Sequence, residues 1–78
     1  MVRAYVLIQT HVGMGPQVAR DVGQIKGILS SEGVTGPYDV IAHAEAPTLD
    51  GMGRLVATEI HAVVGITRTI TCIGTHLS

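Results

Sequence analysis

The chain has 78 residues and a mass of 8.2 kDa, room for one small domain and not for two. Its residues are 46% hydrophobic and 14% charged, with a mean hydropathy of +0.41, the reverse of the balance that keeps a chain disordered. The net charge is −1, and the basic residues Arg3, Arg20, Lys26, Arg54 and Arg68 are scattered singly, which argues against the basic stripe of a nucleic-acid binder.

Val2–Thr10 is rich in β-branched and apolar residues and reads as a strand. Val2, Ala4, Val6 and Ile8 fall on one face, and Arg3, Tyr5, Leu7 and Gln9 on the other. Val12-Gly13-Met14-Gly15 is a turn, and Pro16 suits the first position of a helix, where its missing N–H is not needed. Val18, Val22 and Ile25 recur at helical spacing, and Gly27 is the expected C-terminal cap. Ile28–Thr35 reads as a second strand, interrupted by Ser30, Ser31, Glu32 and Gly33.

Gly36-Pro37 marks a tight turn, after which Tyr38–Ala46 is the third strand. There Tyr38, Val40, Ala42 and Ala44 alternate with Asp39, Ile41, His43 and Glu45. Pro47 ends the strand, and Thr48 caps a second helix expected to run to about Val64. Leu49, Met52, Val56, Ile60 and Val63 form its apolar stripe, while Gly51 and Gly53 loosen its start. Gly65 closes the helix, and Ile66–Thr75 is the last strand, with Thr67, Thr69 and Thr71 assigned to one face.

Two segments echo each other: Val22-Gly23-Gln24-Ile25-Lys26-Gly27-Ile28 and Ile60-His61-Ala62-Val63-Val64-Gly65-Ile66. Both take a helix end directly into a strand. The element order is therefore βαββαβ, an α+β ferredoxin-like fold with a four-stranded antiparallel sheet and both helices on one face. The other face is bare and carries Tyr5, Leu7 and Ile41, the candidate dimer interface. A core of this size rarely supplies more than roughly 3–5 kcal/mol unaided, and the single cysteine, Cys72, forms no internal disulfide. A second copy covering the bare face, giving a dimeric α+β barrel, answers both observations.

The polar residues His11, His43, Glu45, Cys72 and His76 match no established zinc spacing, so no metal is assigned to them. Cys72 has no His–acid partner identifiable from spacing, and Gly13-Met14-Gly15 lacks the lysine of a phosphate loop, so no catalytic residue and no cofactor are assigned. No run of 18 or more apolar residues exists to span a membrane. A lone cysteine without an export signal fits a reducing cytoplasm.

Val34-Thr35-Gly36-Pro37-Tyr38-Asp39-Val40-Ile41 resembles the G-x-Y-D turn and strand of the Lrp/AsnC transcriptional regulators. Val64-Gly65-Ile66-Thr67-Arg68-Thr69-Ile70-Thr71 is similar to that family's last-strand signature, with Val64 where the family often has proline, and Ala4–Ile8 resembles its first strand. The likeness extends over the effector (RAM) domain alone: Met1 leads straight into the first strand with no helix-turn-helix before it, so the stand-alone RAM proteins are the expected relatives. The resemblance implies a homodimer assembling further, into octamers or larger rings, and a small-molecule effector, commonly an amino acid, bound between dimers. Its candidate ligand residues are Gly36, Pro37, Tyr38 and Asp39 in the turn and Thr69 and Thr71 in the last strand. Full-length relatives are the further implied partners. Readings from other classes are a small monooxygenase-like enzyme of the α+β barrel type, with His43 its one obvious candidate residue, and a purely structural oligomer.

Overall fold

The computed structural model describes residues 1–75. Strand β1 (Val2–Thr10) is followed by helix α1 (Gly15–Gly23), β2 (Ile28–Gly33), β3 (Val40–Ala46), helix α2 (Leu49–Arg54), which widens into a π-helical segment (Leu55–Ile60), and β4 (Ile66–Ile73). The four strands form one antiparallel sheet in the order β2-β3-β1-β4, the expected ferredoxin-like arrangement.

Strand alternation decides which residues meet the helices. Ala4, Val6 and Ile8 of β1 and Val40, Ala42, Ala44 and Ala46 of β3 are buried, and Val18, Val22, Met52 and Ile60 pack onto them from the helical layer. The sheet side of this core is mostly alanine and valine, so the helices approach closely and no aromatic ring is needed. Ser31 is the exception: its hydroxyl is buried on the helix side of β2 without a partner. Such an orphan costs about 1–3 kcal/mol.

Both helices end earlier than expected. α1 stops at Gly23 rather than reaching Gly27, because Gln24 and Ile25 donate to the carbonyls of Asp21 and Val22, three residues back, at 3.2 and 3.1 Å. Those shorter bonds tighten the chain out of the α-helical path, and Gly27, at φ +100°, makes the turn itself. The second helix ends at Ile60, not Val64. Thr48 caps it as expected, its hydroxyl accepting from the Gly51 N–H at 3.0 Å. His61 then donates to the carbonyl of Val56, five residues back, at 3.0 Å. In an α-helix, residues spaced by four drift about 40° per step around the axis. The wider turn offsets that drift and brings Ile60 under the helix in line with Met52. Leu49, expected on the buried stripe, is 62% exposed.

The strands differ from expectation at their ends. Val34 donates to the carbonyl of Asp39 at 2.9 Å, closing a loop that ends β2 at Gly33 and delays β3 to Val40 rather than Tyr38. β4 ends at Ile73, where Gly74 donates to the Arg3 carbonyl at 2.7 Å. Pairing of Val6 with Thr71 and Ile8 with Thr69 puts both threonines on the helix side of the sheet. Thr67 does not share that row: the register shifts between Gln9 and Thr10, and Thr67 lies unpaired in the bulge.

Candidate functional site

Asp39 is held through both its backbone and its side chain. Its backbone N–H continues the β3–β1 ladder by donating to the Ile8 carbonyl at 2.9 Å. Its carboxylate Oδ2 accepts from the Thr10 N–H at 2.8 Å. That N–H points towards β3, since the next residue, His11, already donates to the Gly65 carbonyl on the β4 side, and it is free because the β1–β3 pairing ends at Ile8 and Val40. The Asp39 side chain thus takes the place of the next strand partner and is fixed there, while among the described residues nothing hydrogen-bonds Oδ1.

The carboxylate opens into a cleft of about 710 Å³ at the end of the sheet. One wall is Thr10 at the end of β1 and the connection from His11 to Gly13, continued by Gly15, Pro16 and Ala19 of α1; the other is Gly33 at the end of β2 with Val34 and Thr35 of the β2–β3 loop. The cleft has room because small residues face Asp39: a Cβ built on Gly15 would lie 3.8 Å from the Asp39 Cβ, and one on Gly33 would lie 4.0 Å from its carbonyl oxygen. His11, Val12, Gly13, Pro16, Gly33 and Thr35 are exposed, so this wall faces solvent.

Of the turn residues expected to bind a ligand, Asp39 alone lines this cleft. Gly36 and Pro37 form the exposed outer tip of the loop, where the Pro37 carbonyl accepts from Gln9 Nε2 at 3.2 Å, and Tyr38 is half-buried. Thr69 and Thr71 are not brought to it. Thr69 Oγ1 lies 2.7 Å from His61 Nε2, and Thr71 lines a separate cleft of about 400 Å³ between the π-helical segment and β4, with Met52 and Val56. Sequence reading missed the wall contributed by Thr10–Ala19. The only signal is Gly13 and Gly15 in a turn beside a helix start, a pattern that reads as a turn and does not by itself point to a cleft wall.

On the open face of the sheet, Tyr5 stacks on His43 with ring centroids 4.6 Å apart and planes 6° from parallel. Leu7 pairs with Ile41 on one side and Ile70 on the other, on that same face. Tyr5 is 52% exposed. His43 thus belongs to this surface and lines neither of the two clefts. Cys72 is exposed beside Tyr5, and His76 lies outside the described residues. Among the described residues no three His, Cys, Asp or Glu side chains come together as metal ligands, and no helix is long and apolar enough to cross a membrane.

Residues 3–75 match the model of the Lrp/AsnC ligand binding domain. The chain belongs to the Lrp/AsnC family. No curated protein matches it significantly. Among solved structures, this Lrp/AsnC domain is similar to TTHA0845 of Thermus thermophilus, with a TM-score of 0.91 and 23% identity over 100% of this chain and 98% of that one. It is also similar to the hypothetical protein PHS023 of Pyrococcus horikoshii, with a TM-score of 0.89 and 26% identity over 99% and 93% of the two chains. The transcriptional regulator NMB0573 of Neisseria meningitidis, solved as a complex with L-Met, superposes with a TM-score of 0.83 and 14% identity, over 96% of this chain and 50% of the regulator.

Proposed function

We propose that this Lrp/AsnC domain is an effector-binding and assembly module that binds an amino acid at the Asp39 cleft and couples that binding to oligomerisation. The carboxylate of Asp39, held by the Thr10 N–H with Oδ1 open to the cleft, carries the reading. An α-ammonium there makes a charge-assisted hydrogen bond. The first turn of α1 adjoins the same cleft with no side-chain cap and no acidic residue, which favours a carboxylate at that side. The L-Met complex of the meningococcal regulator supports an amino acid as the class of ligand.

The open sheet face with Tyr5, Leu7 and Ile41 is the dimer surface in this reading, and the exposed walls of the cleft are completed by a neighbouring dimer. A ligand bound only in the completed site stabilises the assembled state by mass action. The domain acts on transcription indirectly, in the cytoplasm, by changing its own assembly or by joining full-length relatives.

The substitution Asp39→Asn tests the site, because the amide oxygen can still accept from Thr10 while the charge is gone. Titration calorimetry across the proteinogenic amino acids is expected to show one or a few that bind, with affinity falling at least about tenfold in the variant, the scale of a lost charged hydrogen bond. Light scattering is expected to give at least a dimer for both proteins, growing with ligand in the wild type. Equal affinity in the variant, or a folded monomer at micromolar concentration, would overturn the reading.

A further inference from the structure

Resting on the reading of the open sheet face as the dimer surface, we infer that charge seats and selects the second copy, with Glu32 and Glu45 of one protomer set against the partner's Arg68 and the partner's Arg3. Strand pairing sorts these charges. Glu32 pairs with Ile41, Glu45 with Arg3, and Arg68 with Gln9. All four therefore share the open face with Tyr5, Leu7 and Ile41, and no other Asp, Glu, Lys or Arg among the paired strand residues lies there. In the strand order β2-β3-β1-β4, both acids fall on one half of the face and both bases on the other. Glu32 and Arg68 are exposed on the two outermost strands. Three strand spacings, about 14 Å, separate those strands, too far for an ion pair within one protomer.

Two kinds of two-fold axis can lay this face on its copy. An axis running across the strands puts β2 on β2 and β4 on β4, which gathers like charges at both edges. An axis running along the strands puts β2 on β4 and β3 on β1, so each acidic half meets a basic half. Glu45 then faces the partner's Arg3 in the same row, and Glu32 comes within one side-chain position of the partner's Arg68. The same rotation sets Leu7 against the partner's Ile41 and Tyr5 against the partner's His43, so the apolar and aromatic rows also coincide. Opposed like charges are costly across an interface, and complementary ones fix orientation and partner more than raw affinity. The charge pattern thus favours the second arrangement and rejects partners that lack it.

Reversing one charge at a time tests this. Arg68→Glu and Glu32→Arg both fall at exposed positions. Each variant then opposes like charges in its own homodimer, and sedimentation equilibrium at low salt should show its dissociation constant raised about tenfold or more. Mixed in equal amounts, the two variants complement each other. Native mass spectrometry should then show heterodimer well above its share in random pairing, with affinity near that of the wild type. This recovery separates a charge effect from damage to the fold. Variants that dimerise as tightly as the wild type, random mixing, or a mixture that assembles no better than either variant alone would each overturn the charge assignment while the proposed function stands. A wild-type protein that is a folded monomer overturns both.

Discussion

In the first βαβ half, Val22 is buried and Gly27, at φ +100°, turns the chain into Ile28; in the second, Ile60 is buried and Gly65, at φ +104°, turns it into Ile66. The exits of the two helices are thus nearly the same device. Their bodies differ. α1 starts at a glycine-proline step without a side-chain cap and stays α-helical for nine residues. α2 starts under a threonine cap, contains Gly51 and Gly53, and gives way after six residues to a π-helical turn. Local chemistry dictates an exit, because a left-handed residue must be glycine or nearly so. The body of a helix follows from which side chains the sheet demands. Val18 and Val22 are four apart and meet the sheet without adjustment, whereas Met52, Val56 and Ile60 extend the spacing to eight, and the helix widens to keep them over it.

The largest effect expected from disturbing this comparison is at the buried residue before each exit. Ile60→Ala removes three carbons from a fully buried site and should cost about 3 kcal/mol, against about 2 kcal/mol for Val22→Ala, which removes two. Urea unfolding at fixed protomer concentration measures both. A greater loss at Val22 would mean that the π-helical segment is the softer packing surface and collapses around the cavity.

The exits themselves come next. Alanine at Gly27 or Gly65 must adopt a left-handed backbone, about 1–2 kcal/mol in either place. The surroundings then separate them. A Cβ on Gly65 would lie 2.8 Å from Met14 Cε and 3.0 Å from Val18 Cγ2, whereas one on Gly27 would meet the Glu45 carbonyl oxygen at 3.2 Å and Leu55 Cδ2 at 3.3 Å. Gly65→Ala is therefore expected to be the more damaging. Part of its penalty should disappear in a Met14→Ala background, since the end of the methionine chain is the nearest obstacle. A double-mutant cycle with no coupling between positions 14 and 65 would show that backbone strain alone sets the cost.

Much of this architecture was legible in the sequence, and the reasons are specific. β1 was read to its ends because Val2, Ala4, Val6 and Ile8 alternate without interruption and the polar residues Gln9 and Thr10 close the run. Gly27, Gly65 and Thr48 announced the turns and the cap. The π-helical turn was not legible, since a spacing of four satisfies an α-helical pattern locally and the accumulated drift shows only when a sheet lies beneath. The side taken by Thr69 and Thr71 was equally hidden, because alternation gives two faces and says nothing of which one the helices cover; the pairing with Ile8 and Val6 decides it. In the candidate site, Asp39 was visible as part of a turn motif. Its hold on Thr10, 29 residues away, needed β3 to part from β1 at Val40 so that a side chain meets the next N–H of β1, and nothing in the local sequence marks where two strands part.

The smallest expected effect addresses why α2 is short. A Cβ on Gly53 would meet nothing within 4 Å, and its backbone is not left-handed, so Gly53→Ala should stabilise the domain by about 0.5–1 kcal/mol through helix propensity and a less flexible unfolded chain. Gly51 is a useful contrast, for a Cβ there would crowd the capping Thr48 Oγ1 at 3.2 Å, and Gly51→Ala should gain less or nothing. If Gly53→Ala raises the urea midpoint while amide exchange at His61, whose N–H reaches five residues back to Val56, is unchanged, then the glycines weaken α2 without causing its π-helical continuation. The widening then belongs to the apolar spacing of Met52, Val56 and Ile60. Loss of protection at His61 would instead tie the widened turn to the glycine, and the difference between the two helices would lie in backbone freedom rather than in what the sheet requires.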